Sequence, residues 1–463
     1  MAFVVIIDIL VLAGILYLAA KKGIESALPF FVFVVVCTPE ESTIPLPFVS
    51  LTTRRVAMCA LLLAFLFFKN KKESPLEKTP FKYLLILYAG WCVLSTANSI
   101  VFSMSLKQMI SQVIEYYILY YILTRAVTSV ETVHKIIGAM VFGVFVSCVA
   151  GAFEPYTDWR VTQWFPSLDH HFTMSESDGR GWRIQATFGN YSLMGSAVAF
   201  ALIEVFYLLT ITKSGLKKVY FWVAIILMFL NIYKTTSRGP WLAFMVGFAI
   251  LGVTVPRTRK YLTVICVMTI LAFIIRPGVW QTVVDIYKGS IVTDPNSELA
   301  SSYQYRYALW GVGEKVLARS FSRQMWGYGM ESFYDLHIVA PFNTNPAYPF
   351  ESCDSSWAQA MVETGYVGLF LIGVLLVVPA LTTLKNCLKL PKPDNALCWV
   401  LLINMLQYYF MMTNVALYGW GQTGFMLWTW IALSVSYAEL VRKAAVPIPV
   451  KSPAHQGLNF ATT

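Results

Sequence analysis

About thirteen mostly apolar runs, each roughly 15–20 residues long, constrain this chain more than any other feature. They lie near 2–20, 24–38, 56–68, 81–99, 106–124, 136–153, 192–212, 219–233, 241–255, 261–275, 360–384, 396–413 and 424–441. Runs of that length cross a bilayer as helices, because in lipid the backbone has no water to bond. The second and third are short, so one of them is expected to be re-entrant or tilted, and twelve spans fit as well as thirteen. Composition agrees: of 463 residues, 57% are hydrophobic and 13% charged, against roughly 25% charged in an average soluble domain. So few charges cannot cover a water-soluble fold of this size. A secreted disulfide scaffold, a disordered protein and a soluble enzyme with one anchor are excluded.

The formal net charge of +10 resembles a nucleic-acid signal, but its distribution argues for membrane topology instead, and no nucleic-acid partner is expected. Lys69, Lys71, Lys72, Lys78 and Lys82 share one connection. Counting spans from it, the same side receives Lys213/Lys217/Lys218, Arg257/Arg259/Lys260, Lys385/Lys389/Lys392 and Arg442/Lys443. Basic clusters mark the cytoplasmic side. The opposite side then carries the long connections 154–191 and 276–359 and the tight turn around Ser237. The chain divides into membrane helices over 1–275, a large external loop over 276–359, further membrane helices over 360–441 and a cytoplasmic tail, read as disordered, over 442–463. The N-terminal run has no basic residues before it and reads as a retained span rather than a cleaved signal. Seven of the eight Cys lie in or beside apolar runs, Cys353 alone in a polar loop, and no CxxC occurs. Neither a zinc site nor a disulfide framework follows.

Four external segments can carry chemistry: R-I-Q-A-T-F-G-N at 183–190, T-S-R-G-P-W-L at 236–242, R-Y-A-L-W at 306–310 with W-G-Y-G at 326–329, and D-S-S-W-A-Q at 354–359 leading into E-T-G-Y-V-G at 363–368. Arg183 and Arg238 are cations at membrane edges on the side where orientation disfavours them. They either snorkel to headgroups or pair structurally, or they form a fork for phosphate, which guanidinium grips bidentately at any relevant pH. Arg306 falls in an expected helix over 303–316, where a solvated face is the plain alternative. The glycines at 327 and 329 read as a turn rather than a phosphate cradle. Asp354 precedes a span: it is either a helix N-cap or a general base, kept ionised by nearby arginines. His337, in the same loop, is a second candidate base. His170 and His171 lack the spacing of a metal site, and no metal or other cofactor is expected. Asp8, Glu115 and Glu204 are isolated intramembrane carboxylates without intramembrane Lys or Arg partners, and structural hydrogen bonding is expected of them.

In order and spacing, these segments resemble the O-antigen ligase/O-antigen polymerase superfamily of bacterial envelope glycosyltransferases, over roughly 180–380. The resemblance rests on R-x-x-x-T-F-G-N, T-S-R-G-x-W-L, R-x-x-L-W…G-x-G-x-x-x-F and D-S-S-W-A-Q-x-x-V-E-T-G-Y-V-G. It implies an all-α polytopic inner-membrane protein, with about 12–13 transmembrane helices and one large helical periplasmic loop. It also implies an enzyme that moves a glycan from an undecaprenyl-pyrophosphate-type carrier to an acceptor hydroxyl at the periplasmic face, without nucleotide sugar or metal. Arg183, Arg238 and Arg306 would be donor-phosphate ligands. Ligases of the family commonly carry His where this chain has Asp354. That departure favours a polymerase of O-antigen or exopolysaccharide repeats, whose acceptor is a lipid-linked repeat, over a ligase acting on lipid A–core or protein. A chain-length regulator is a further candidate partner beside the membrane lipids. A lipid-linked glycan flippase is the alternative from another class, disfavoured because no internal pseudo-symmetry or pair of broken helices is evident.

Overall fold

The computed structural model describes residues 2–45, 50–68, 74–157, 159–165, 183–261, 263, 266, 309–334, 354–419 and 421–445. Helices make up nearly all of this: α1 (Ala2–Lys22), α2 (Leu28–Cys37), α3 (Thr53–Phe67), α4 (Lys82–Ala97), α5 (Phe102–Gln112), α6 (Leu119–Ala126), α7 (Val130–Thr157), α8 (Tyr191–Ile211), α9 (Gly215–Lys234), α10 (Arg238–Thr254), a short α11 (Phe321–Trp326), α12 (Ser356–Lys389), α13 (Asn395–Met411) and α14 (Gly421–Ala445). Residues 309–317 are also helical. The run at 261–275 lies mostly outside the described residues; each of the other twelve coincides with a described helix. Six of these, α1, α7, α8, α9, α12 and α14, are long and apolar enough to cross a membrane. α4, α10 and α13 are shorter apolar helices. The fold is that of an all-α polytopic membrane protein.

The outer helices turn apolar side chains outward. α1 buries Val4, Asp8, Val11 and Ile15 along one stripe while Ile6 and Leu10 stand exposed, an arrangement suited to lipid rather than water. At the centre, α8 and α14 are buried along nearly their whole length. Glu204 of α8 joins them, accepting from Asn404 Nδ2 of α13 at 3.0 Å and Trp430 Nε1 of α14 at 2.7 Å. It therefore has the structural role expected of it. Glu115 departs from expectation, because its carboxylate pairs with Arg55 Nε at 2.8 Å and accepts from Ser111 Oγ at 2.6 Å.

Two helices are irregular. α2 has ten residues, about 15 Å at 1.5 Å per residue and half a hydrocarbon core. After it the chain folds into a two-stranded hairpin, Thr43–Pro45 against Ser50–Thr52, before returning as α3. Such backbone survives at membrane depth only when its polar groups are satisfied by protein. Gln422 Nε2 supplies this, facing the carbonyls of Val36 and Thr38 at 3.2 and 2.8 Å. The second irregularity is a π-helical stretch, Val113–Ile118, between α5 and α6.

Short connectors reverse the chain between α6 and α7, α8 and α9, and α12 and α13, gathering the basic clusters at one end of the bundle. There Glu25 accepts from Ser129 Oγ at 2.8 Å, Arg125 Nη1 donates to the Leu76 carbonyl at 2.7 Å, and Tyr437 Oη donates to the Asp394 carbonyl at 2.8 Å. The opposite end holds the candidate site.

Candidate active site

The segment before α8 is built to be rigid. Glu154, near the end of α7, accepts from the backbone N–H of Gln185 and Ala186, both at 2.9 Å. Thr187 Oγ1 pairs with Ser147 Oγ at 2.6 Å, and Phe188 is fully buried. Asn190 caps α8, its Oδ1 accepting from Ser192 N at 2.7 Å and Leu193 N at 3.3 Å. The T-F-G-N motif is thus anchor, core residue, left-handed turn and cap, which leaves Arg183 as its chemically distinctive member. Arg183 is 9% exposed. Its guanidinium lies on the Tyr191 ring, 3.2 Å from the centroid, and Nε donates to the Thr235 carbonyl at 3.2 Å.

Thr235 opens the tight turn into α10. Thr236 is left-handed, with φ of 48°. Ser237 Oγ meets Ser192 Oγ at 3.1 Å, and Trp241 Nε1 closes the turn on the Ile232 carbonyl at 2.9 Å. Arg238 is the first residue of α10 and is partly exposed. The residue that binds Arg183 therefore lies three positions before Arg238, at most about 11 Å of chain. Arg183 is thus bonded to the turn that leads into Arg238.

The start of α12 reaches the same region through the turn after α13. Gly239 packs on Met411 and Asn414. Ser356 N donates to the Met412 carbonyl at 2.9 Å, and Ser356 Oγ donates to the Val415 carbonyl at 3.1 Å. Ser355 is the N-cap, its Oγ accepting from Ala358 N at 3.4 Å. Asp354 stands one residue further out, partly exposed. Arg306 and His337 lie outside the described residues.

Further along, α12 breaks at Gly365, with φ 72° and ψ −177°. The carbonyls released by the break are taken by Tyr328 N on Val362 (3.0 Å), Gly329 N and Ser95 Oγ on Glu363 (2.9 and 2.7 Å), and Trp91 Nε1 on Thr364 (2.9 Å). The W-G-Y-G segment is therefore a backbone lock on the E-T-G-Y-V-G break, in line with the turn read from its sequence.

Sequence reasoning missed a buried charged cluster at the same end. Arg54, 3% exposed, pairs with Glu40, and Arg55 pairs with Glu115. The signal was available: a double arginine between the second and third runs violates the basic-side rule as Arg183 and Arg238 do. Beside it Glu331, outside the spans, has its carboxyl pushed up to about 7 by burial and then by the Glu40 carboxylate.

These features define a class: a multi-pass, all-α membrane protein with two retained arginines, Arg183 and Arg238, at the end opposite the basic clusters. Residues 223–373 match the family model described as O-antigen ligase, and the chain carries a domain of the O-antigen ligase/polymerase superfamily, as its motifs suggest. That match supports a membrane glycan transferase at family level. The match spans Arg238, Asp354 and the Gly365 break; Arg183 and the Arg54 cluster lie before it. No curated protein matches the chain.

Proposed function

We propose that the protein is a glycosyltransferase of the bacterial inner membrane that polymerises O-antigen or exopolysaccharide repeats at the periplasmic face. The donor is a glycan on an undecaprenyl-pyrophosphate-type carrier and the acceptor a hydroxyl of a lipid-linked repeat. The observation that carries this reading is the hydrogen bond of Arg183 to Thr235 in the turn that leads into Arg238, a turn packed through Met411–Asn414 against the start of α12. The acceptor oxygen attacks the anomeric carbon. The bond from that carbon to the pyrophosphate oxygen breaks, and the leaving group keeps the electron pair. Arg183, Arg238 and Arg306 hold the resulting charge, the electrostatic service such a step needs most. The acceptor's proton passes to Asp354, with His337 the second candidate base. Asp354 at the position where ligases commonly have His supports polymerisation over transfer to lipid A–core or protein.

The test is purified protein in liposomes with lipid-linked oligosaccharide extracted from producing cells, with EDTA and no ion gradient. Lengthened carrier-linked glycan is expected. Arg238→Lys should lose at least roughly tenfold in turnover, since a point charge does not reproduce a planar fork. Relocation of glycan without lengthening would make the protein a flippase. Loss of activity to EDTA with recovery on Mg²⁺, or wild-type turnover in Arg238→Lys, would defeat the arginine mechanism.

A further inference from the structure

A second polar feature lies between α4, α5 and α12, next to the start of α12. Gln108 and Gln112 of α5, Gln359 and Glu363 of α12, Tyr88 of α4 and Tyr418 line a cavity of about 20 Å³. It sits where two helices lose regularity. Gln112 is the last residue of α5 before the π-helical Val113–Ile118, and Glu363 stands two residues before the Gly365 break. Irregular backbone at membrane depth is tolerated where it is buried in protein or lines a cavity, and π-turns recur at functional sites.

The lining selects an occupant. Among the described residues it contains no Lys or Arg, so these residues do not suit the pyrophosphate. Gln112 is 8% exposed, and its carboxamide makes no hydrogen bond among the described residues. An apolar occupant would leave that amide unpaired, at a cost of about 1–3 kcal/mol. Gln359 Nε2 donates to Glu363 Oε1 at 3.0 Å, leaving its carbonyl oxygen for a donor. Planar amides and a carboxyl group beside tyrosines are donors and acceptors for hydroxyl groups. The volume suffices for about one water, hence for one hydroxyl or hydroxymethyl arm and not a sugar ring. Ser356, in the same wall, lies two residues from Asp354, so a ring outside the cavity would stand at the Asp354 end of α12.

We propose that this cavity is a sugar subsite that seats one hydroxyl-bearing arm of the glycan, with Gln112 and Gln359 as residues that determine which sugar is accepted. The proposal rests on the glycan-transfer reading above. Hydroxyl-reading sites discriminate strongly against analogues that lack the hydroxyl, because the site's own polar groups are then left unpaired.

The test uses the full chain in nanodiscs with three probes: undecaprenyl pyrophosphate, lipid-linked oligosaccharide extracted from producing cells, and the oligosaccharide released from it by mild acid. Both glycan probes should protect peptides covering 108–118 and 356–366 from hydrogen exchange, while the carrier alone should protect only 183–190 and 235–241. Gln112→Leu and Gln359→Leu, near-isosteric changes, should each weaken lipid-linked oligosaccharide binding roughly tenfold, about 1.4 kcal/mol, and leave carrier binding unchanged. Hydrogen exchange on the wild type keeps the test open if either variant fails to fold. Carrier binding with no added protection from glycan, or equal weakening of both lipids in the variants, overturns the subsite and leaves the transferase standing. Failure of every probe to bind removes the transferase reading, and the subsite with it.

Discussion

Asp354 stands one position outside the N-cap of the helix that it precedes, and Ser355 does the capping. The two roles open to Asp354 in the sequence are thereby separated by one residue. If Asp354 is the base, Asp354→Asn should lower turnover by about 10²–10⁴-fold while the melting temperature and carrier binding stay near wild type. Ser355→Ala should cost stability of about 1 kcal/mol instead. Full activity in Asp354→Asn, together with loss in His337→Ala, would transfer the role to His337 and restore the ligase reading to equal standing. Glu331 makes a different kind of prediction. Its carboxyl is raised from 4.5 to about 7, so between those values the folded chain holds a proton that the unfolded chain has released. The resulting contribution is most favourable below about pH 4.5 and is lost as pH rises through about 7. Glu331→Gln removes this dependence. Its melting temperature should gain on wild type between pH 5 and pH 8, whereas a gap that does not change with pH would contradict the burial of that carboxyl.

At the scale of elements, the broken α12 is the feature on which the site's geometry depends. Gly365 and Gly327, with φ of 72° and 73°, lie backbone to backbone: a Cβ on Gly327 would collide with the Glu363 carbonyl, and one on Gly365 with the Met325 carbonyl. Such extended positive-φ backbone is almost confined to glycine and costs other residues about 1–3 kcal/mol. Gly365→Ala and Gly327→Ala should therefore reduce the yield and melting temperature of the folded protein. Gly373→Ala, on the same helix with nothing near its Cβ, should be neutral or slightly stabilising, and equal behaviour of all three would refute the lock. This level was only partly legible in the sequence. Apolar runs locate helices because lipid imposes one solution on the backbone, and twelve of the thirteen runs coincide with described helices. The break at Gly365 is invisible to hydropathy, since its replacement hydrogen bonds come from Tyr328, Gly329, Ser95 and Trp91, remote in sequence. The Arg55–Glu115 pair was missed for the same reason: its members are 60 residues apart, and periodicity says nothing about pairing between runs. The arginines at 183 and 238 stand out in the sequence because the orientation rule applies to single residues; applied evenly, it singles out Arg54 and Arg55 too.

At the scale of the whole molecule, the reading depends on which end of the bundle faces outward. Lys78, Lys213, Lys217, Lys218, Arg257, Lys389 and Arg442 flank helix ends away from the arginine turn. That bias sets orientation because basic connections are retained in the cytoplasm. If the bias is obeyed, the turns at 235–237 and 412–419 face the periplasm and the connection containing Glu77 and the end of α14 face the cytoplasm. Two exposed positions report this, Thr413 in the first group and Glu77 in the second. In a background with Cys59 and Cys266, which are exposed, and Cys353 of the polar loop replaced by serine, Thr413→Cys should react with a membrane-impermeant maleimide applied to spheroplasts, and Glu77→Cys should react only after lysis. The opposite pattern would put the arginine turn in the cytoplasm, on the wrong side for a carrier whose glycan is extended outside. Labelling of both before lysis would mean that the basic clusters do not set orientation. The proposed polymerase fails in either case, because its donor and acceptor must meet at the same outward-facing turn.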